Sequence, residues 1–294
     1  MSVLWGKTHI MYNKNIELEY LPELNEPLFI VGFDGWGNAL DISWGMIDYL
    51  IRKLEAKPFG KIDPDLFYQF DTKRPLVKIK NGILKDINPP GGKFYAADKR
   101  NTGRDIIILK ATEPSLRWYY FTDVILSLCE RTGVKSIVSL GSMYDNVLHT
   151  DIVISAIASS EDTLSKVKGL DVISITYSGP SGIHSTLTAE AQKRGFECLN
   201  LWCHCPHYLQ GTTHFGILSR LGEFLAEWGG FKLETEELSL TWEEVCKQIQ
   251  DLIDKNPELR GMIDDIRKEK TVGTWSERKR NDKVIKMEDF FKSK

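Results

Sequence analysis

Several absences narrow the class of protein to which this chain belongs. No apolar run approaches the roughly 18 residues that a membrane-spanning helix needs. Positive charge is not in excess, and a net charge of −3 gives no reason to expect a nucleic acid or an anionic membrane as partner. The N-terminus lacks the basic-then-apolar layout of a signal peptide. Five cysteines, an odd number, argue against a disulfide framework. We therefore expect a cytoplasmic protein that binds neither membrane nor nucleic acid.

Complete catalytic motifs are also missing. The chain has no G-x-S-x-G nucleophile motif and no G-x-x-x-x-G-K-[ST] phosphate loop. Its first glycine cluster reads G-x-x-G-x-G, which differs from the G-x-G-x-x-G order of dinucleotide-binding folds. We predict no catalytic residue and no cofactor. Whether the protein is an enzyme stays open, and the missing motifs favour a protein that is not one.

A strand, a glycine-rich turn and a helix form the segment around which the chain is organised. Residues 28–31 are continuously apolar, as in a strand that is buried on both faces. Glycine then recurs at Gly32, Gly35 and Gly37. From Asn38, which can cap a helix, apolar residues recur with helical spacing. Such a turn either binds an anion or small ligand at the helix N-terminus or simply closes the strand onto the helix.

Strands alternate with helices along most of the chain, which predicts an α/β fold. Further strands are predicted at residues 65–70, 76–79, 105–109, 136–140, 152–157, 172–175 and 198–202. Helices are predicted at residues 116–131, 161–168, from about 182 to 195, 215–227, 241–254 and 258–270, with a capping box at Thr241. This order indicates a three-layer α/β/α domain with a mostly parallel central sheet over residues 1–232. A helical appendage over 233–270 and a charged tail over 271–294 follow.

Three glycine-bearing turns follow predicted strands, so we expect them at the carboxyl edge of the sheet, where α/β folds bind ligands. They lie at residues 32–37, 141–142 and 179–182. Candidate ligand-binding donors in these turns are Gly35, Asn38, Ser142, Gly179 and Ser181. His149 and His207, in nearby loops, are candidate acid–base groups, although a loop histidine more often has a structural role.

A cluster of cysteine and histidine suggests a metal site at first sight. Cys203, His204, Cys205 and His207 are close in the sequence and have side chains that suit zinc. A zinc site, however, usually needs a second pair of ligands well away in the chain, which is missing here. Alternation along an extended segment places Cys203 and Cys205 on one face and His204 on the other. We predict buried thiols and no metal site.

Several ordered blocks resemble the proteasome assembly chaperone 2-like family of bacteria and archaea. Residues 33–39 resemble its F-x-G-W-N-D-A turn, and residues 113–118 its E-P-x-x-R-W segment. Further similar blocks are residues 140–142 with 149–150, residues 177–183 and residues 202–208. These blocks add Trp36, Glu113 and Gly182 to the predicted ligand site. One departure is Gly37-Asn38, where the family has Asn-Asp, so that a carboxylate is missing from the first turn.

The resemblance implies a fold of the nucleoside phosphorylase/hydrolase type and a homo-oligomer, often a trimer. It implies a non-enzymatic assembly or scaffolding factor with a further protein partner. The aromatic run at residues 117–121 is a candidate binding face, unless it only packs its own helix. The alternative is an enzyme of this fold, or an ATP-dependent carboligase, with a nucleoside- or phosphate-like ligand at the carboxyl edge of the sheet.

Overall fold

Strands and helices alternate in the computed structural model, which describes residues 10–13 and 15–272. The strands are β1 (Ile10–Asn13), β2 (Ile16–Leu18), β3 (Leu28–Asp34), β4 (Lys57–Ile62), β5 (Leu76–Lys80), β6 (Ile83–Asn88), β7 (Gly92–Ala97), β8 (Ile106–Thr112), β9 (Ser136–Asp145), β10 (Ile154–Ala158), β11 (Ile173–Ser174) and β12 (Glu197–Pro206). The helices are α1 (Ile42–Lys53), α2 (Lys99–Thr102), α3 (Trp118–Arg131), α4 (Glu161–Lys166), α5 (Ile183–Lys193), α6 (Phe215–Gly229), α7 (Glu236–Lys255) and α8 (Pro257–Val272). None of these helices is long and apolar enough to cross a membrane.

The predicted α/β fold is confirmed, with a parallel centre to the main sheet. The strand order is β1-β2-β4-β7-β8-β3-β9-β12-β10-β11. The four neighbours β8, β3, β9 and β12 are parallel to one another. The strands on the β7 side pair antiparallel, and on the other side β10 is antiparallel to β12. Buried apolar residues on both faces of the central strands explain why they read as continuous hydrophobic runs.

Helices cover both faces of this sheet, as the three-layer prediction requires. On one face, α1 and α6 pack on side chains such as Leu140 and Leu201. On the other face, α3 and α5 pack on side chains such as Phe33 and Ile137. Both α7 and α8 contribute buried residues, including Trp242 and Ile263, to the first of these two cores. The boundary between the predicted domain and its appendage stays a prediction, and residues 273–294 of the predicted tail lie outside the described residues.

Three local predictions are wrong for identifiable reasons. Residues 65–70 form turns instead of a strand, because the amide groups of Phe67 and Tyr68 donate to the Pro64 carbonyl group. Helix α7 begins at Glu236, so Thr241 lies inside it, where its hydroxyl group donates to the Glu237 carbonyl oxygen. Gly141 and Ser142 do not form a turn: β9 continues through them to Asp145.

A two-stranded ribbon stands apart from the main sheet. Strands β5 and β6 pair only with each other in the described chain, and they are joined at Asn81 and Gly82. Both residues of this turn have positive φ, the conformation that two-residue hairpin turns favour. The sequence predicted β5, but β6 was missed.

Candidate functional site

Glu113 connects two of the predicted glycine turns at the carboxyl edge of the central strands. It follows β8, and its backbone amide group donates to the Asp34 carbonyl oxygen at 2.7 Å. One oxygen of its carboxylate accepts from the amide group of Trp36 at 3.1 Å. The other oxygen accepts from the amide group of Ile183 at 2.9 Å. Because Ile183 is the first residue of α5, the carboxylate satisfies an amide group at the positive end of that helix.

The glycines around Glu113 allow these backbones to approach closely. A Cβ atom on Gly35 would lie 2.8 Å from the Glu113 carboxylate, and Gly35 has a φ of +148°. A Cβ atom on Gly182 would lie 3.1 Å from the other carboxylate oxygen. The predicted residues Gly35, Trp36, Glu113 and Gly182 therefore form one cluster, which we call the Glu113 cluster.

Asn38 and Ser142 lie next to this cluster but are buried and engaged in local hydrogen bonds. The Asn38 side-chain oxygen accepts from the amide groups of Ser43 at 3.0 Å and Trp44 at 3.4 Å in the first turn of α1, although the N-cap residue of this helix is Asp41. The hydroxyl group of Ser142 donates to the Ala39 carbonyl oxygen at 2.8 Å. The amide group of Ser142 donates to the Gly37 carbonyl oxygen, which ties the first glycine turn to β9.

Aromatic rings connect the surface of the cluster with the interior. Trp36 is 63% exposed, and its ring meets Trp202 edge-on at a centroid distance of 6.1 Å. Trp202 in turn lies 4.9 Å from the ring of His184, a residue that the sequence reasoning missed. Gly37 permits this packing, because a Cβ atom there would lie 2.9 Å from both rings.

His184 is buried as a neutral ring. Its Nε2 atom lies 3.0 Å from the Leu140 carbonyl oxygen, so Nε2 carries the proton of the neutral imidazole. Burial lowers the pKa of His184 to about 4. The only sequence signal for this position was its place in the first turn of the helix predicted to begin at about residue 182.

Gly179 and Ser181 lie in an exposed segment, residues 175–181, that leads into the Glu113 cluster. Within it, the hydroxyl group of Tyr177 donates to the Pro180 carbonyl oxygen at 2.8 Å. No backbone–backbone hydrogen bond joins this segment to the rest of the described chain. Both residues are accessible to a ligand, but a ligand-binding role for them stays a prediction.

The structure does not bring His149 or His207 into the Glu113 cluster. His149 is buried, and its Nδ1 atom lies 2.8 Å from the hydroxyl group of Tyr208. Burial lowers the pKa of His149. His207 is exposed and stacks on the ring of Tyr144 at 5.2 Å. An acid–base role for these two histidines stays a prediction.

The cysteine–histidine segment lies in β12, with the predicted alternation of faces. Cys203 and Cys205 are buried in the core beneath α1 and α6. Burial raises the pKa of Cys203 to about 12, so this thiol stays protonated near neutral pH. His204 points to the opposite face, and its neighbours there are described below. Among the described residues, no group of three or more His, Cys, Asp and Glu side chains is placed to hold a metal ion.

The fold and this site define a class: an α/β/α protein with loops from several strands gathered at the carboxyl edge of a parallel sheet centre. The chain belongs to the PAC2 family, whose model matches residues 29–253. A search of curated proteins gives no match.

Solved structures share this fold at low sequence identity. A protein of unknown function from Corynebacterium glutamicum aligns with a TM-score of 0.79 and 20% identity, over 88% of this chain and 98% of that one. A proteasome-assembly chaperone homologue from Mycobacterium tuberculosis has a TM-score of 0.70 and 22% identity, over 80% and 99% of the two chains. PbaB, an archaeal proteasome activator from Pyrococcus furiosus, has a TM-score of 0.60 and 19% identity, over 81% and 97%.

Proposed function

We propose that the protein is a homo-oligomeric assembly or scaffolding factor that works by binding other protein chains. Membership of the PAC2 family supports this, and two proteins of the same fold are described as a proteasome-assembly chaperone homologue and a proteasome activator. The observation that carries the proposal is the apolar surface of the ribbon formed by β5 and β6.

The ribbon has a group of large apolar side chains that are exposed to solvent. Six of them are more than half exposed: Leu76, Val77, Ile79, Ile83, Leu84 and Ile87. Neighbouring residues of a strand point to opposite faces, so Leu76 and Val77 make both faces of the ribbon apolar. Burying these side chains would contribute about 1–2 kcal/mol each. Exposed apolar surface of this size marks a protein–protein interface.

A second copy of the chain is the occupant that we propose for the ribbon. An apolar ribbon needs cover on both faces, and a closed ring of identical chains can supply a neighbour on each side. A trimer, which the family resemblance implies, is the smallest ring of this kind. Localisation in the cytoplasm is part of the same proposal.

Helix α3 offers a second surface, for a different protein partner. In the aromatic run at its start, Phe121 is buried in the core, whereas Tyr119 and Tyr120 are exposed. Leu116 and Trp36 are exposed as well. Part of the run packs the helix, and the exposed part is the binding face that we propose.

Molar mass measurement by light scattering during gel filtration tests the oligomer. We expect the wild type to elute as a trimer and Val77→Lys/Ile87→Lys to dissociate, because the two residues face each other across the ribbon. Leu240→Lys on α7 is a matched control, since Leu240 is also more than half exposed but lies outside the ribbon. A monomeric wild type, or a ribbon variant with unchanged mass, would contradict the proposal.

Affinity capture from the source cells tests the partner. The wild type should enrich particular protein subunits, and Tyr119→Ser/Tyr120→Ser should lose them while it keeps its oligomeric mass. Recovery of the protein alone would count against an assembly role.

The enzyme alternative has less support from the geometry. The N-termini of α1 and α5 face the carboxyl edge, but Asn38 and Glu113 already accept hydrogen bonds from amide groups there. A thermal-shift screen with nucleosides, nucleotides and phosphate tests this alternative, because a ligand at 100 times its Kd adds about 2.7 kcal/mol to the stability. The absence of any shift would remove most of the case for it.

A further inference from the structure

Three side chains from different strands form a hydrogen-bonded chain that the family assignment does not explain. The Nδ1 atom of His204 in β12 lies 2.8 Å from a carboxylate oxygen of Asp145, the last residue of β9. The Nε2 atom of His204 lies 3.0 Å from the hydroxyl oxygen of Ser155 in β10. This order of atoms, carboxylate to Nδ1 and Nε2 to hydroxyl, is that of the Ser-His-Asp triad, which is recognised by geometry and not by sequence position.

The register of the sheet explains why these residues meet. Ser155 is the antiparallel partner of Trp202, and Asp145 is the parallel partner of Pro206. The amide group of His204 donates to the Val153 carbonyl oxygen at 3.0 Å. All three side chains therefore lie on the sheet face that α3 and α5 cover, next to Trp202 and opposite the two buried cysteines.

The charge of Asp145 determines which ring nitrogen of His204 carries the proton. Burial alone would raise the pKa of Asp145, but hydrogen bonds from His204 and from the Asn146 amide group lower it below its usual value. The ionised carboxylate holds a proton on Nδ1 of His204. The lone pair of a neutral His204 ring is then on Nε2 and faces the hydroxyl group of Ser155, as a general base requires.

Ser155 is buried in this structure, but only a two-residue strand and an exposed segment of the described chain separate it from solvent on its outer side. Ser155 and His204 are buried, whereas Asp145 is 29% exposed. The outer neighbour of β10 is β11, which has only two residues, and Ile173 of β11 is the partner of Ser155. Residues 175–181, which have no backbone hydrogen bonds to the described chain, follow at once. Segments of this kind open at a small free-energy cost.

We propose that Ser155, His204 and Asp145 form a hydrolytic site for carboxylic esters, which opens when β11 and residues 175–181 move away. Ser155 is the nucleophile, His204 is the general base, and Asp145 is a positioning residue. Trp36 and Trp202 offer an aromatic wall for an apolar part of the ester. The assembly role proposed above makes no use of this chemistry and does not depend on it.

The reaction balances without a cofactor. The Ser155 oxygen forms a bond to the ester carbonyl carbon while its proton passes to Nε2 of His204. The tetrahedral intermediate then expels the alkoxide, which takes this proton and leaves as an alcohol, so that an acyl-serine remains. Water attacks the acyl-serine and gives one proton to Nε2 of His204. His204 then passes this proton to the Ser155 oxygen as the acyl–oxygen bond breaks, and the carboxylic acid leaves with the other proton of the water.

A fluorophosphonate probe on the full-length protein tests the site, with the adduct located by peptide mass mapping. We expect one adduct, on Ser155, with loss of fluoride. Ser155→Ala should abolish the labelling. Ser139→Ala is the matched control, because Ser139 is equally buried on the same sheet face but has no hydrogen-bond partner among the described residues. It should label at the wild-type rate.

Asp145→Asn separates catalysis from a structural role. If Asp145 orients His204, this variant should label at least about 100-fold more slowly than the wild type. Ile173→Gly should label faster than the wild type, because it weakens the cover of Ser155. Unchanged melting temperatures verify folding, and Asp145→Asn retains Ser155 if Ser155→Ala fails to fold.

Three results would overturn the proposal. They are no adduct on the folded wild type, an adduct on a serine other than Ser155, and labelling of Asp145→Asn at the wild-type rate. In each of these cases the hydrogen-bonded chain only ties β9, β10 and β12 together.

Discussion

Removal of the Glu113 carboxylate should destabilise the protein more than any exposed glutamate would. Glu113→Ala deletes two hydrogen bonds, to the amide groups of Trp36 and Ile183. A hydrogen bond to a charged group contributes about 1.5–3 kcal/mol. Because Glu113 is only half-buried, water screens part of this, and we expect a loss of about 2–4 kcal/mol in the free energy of unfolding. With an unfolding entropy of about 2.1 cal/mol/K per residue, a loss of this size lowers the Tm of this 294-residue chain by about 3–7 °C.

The Gln variant at this position separates the charge from the shape. Glu113→Gln keeps one acceptor oxygen but turns an NH2 group toward the second backbone amide group, so we expect roughly half of the loss. Differential scanning fluorimetry measures the Tm. Hydrogen exchange at the start of α5 should accelerate locally, because Ile183 loses its acceptor.

Glu244→Ala is the control for this comparison. Glu244 pairs with Lys247 on α7, and both side chains are more than two thirds exposed. Such surface pairs contribute little, so the Tm should not change. The reasoning fails if Glu113→Ala lowers the Tm no more than Glu244→Ala, or if exchange increases uniformly over the protein.

Three further predictions concern the buried interior. Burial lowers the pKa of His214 to about 3, so an unfolded chain with a His pKa of about 6.5 binds more protons than the folded one between these values. Stability should therefore fall as the pH falls below 6.5. The variant His214→Phe keeps a ring against Trp242 and should make the decrease in Tm from pH 6.5 to 4.5 less steep. An unchanged decrease would refute this. Gly37→Ala should lower the free energy of unfolding by about 1–3 kcal/mol, because its Cβ atom meets His184 and Trp202, whereas Gly261→Ala, with open space around it, should not; urea unfolding compares the two. Ellman's reagent should react with Cys246 alone in the native protein, because the other four cysteines are buried, and rapid reaction of more than one thiol would contradict the packing.

The organisation of the fold was accessible from the sequence where burial alone determines the pattern. Strands β3 and β8 were recognised because both of their faces are covered and their residues are apolar throughout. The ends of strands were less accessible. Gly141 suggested an end to β9, but a Cβ atom there would lie 3.0 Å from Trp202, so the glycine serves packing across the sheet.

The Glu113 cluster was accessible only in part. The glycine turns and Glu113 were identified as separate blocks, and their meeting at the carboxyl edge followed from the predicted parallel strands. Which groups bond to which could not be predicted, because Trp36, Glu113 and Ile183 are far apart in the chain. The place of His149 against Tyr208, beside the core that α1 and α6 cover, depends on the path of a loop that has no periodic pattern.

The Ser155–His204–Asp145 chain was missed for a different reason. His204 was considered only with the cysteines beside it, as a metal ligand. Alternation placed it correctly on the face opposite Cys203, but the side chains on that face come from β9 and β10. A motif search finds residues that are close in sequence, whereas here three strands each supply one residue.

The direction of β10 determines which changes in the chain would keep Ser155 beside His204 and Asp145. The parallel strands β9 and β12 end at the carboxyl edge of the sheet. Strand β10 runs in the opposite direction, so it begins at this edge. The chain that leaves β9 after Asp145 therefore re-enters the sheet as β10 at the same edge, with β12 between the two strands. Lengthening this connection leaves Ser155 in place, since the pairing of β10 with β12 fixes it. A shift of that pairing by one residue would turn the serine to the far side of the sheet, and so couples the chemistry to strand alignment.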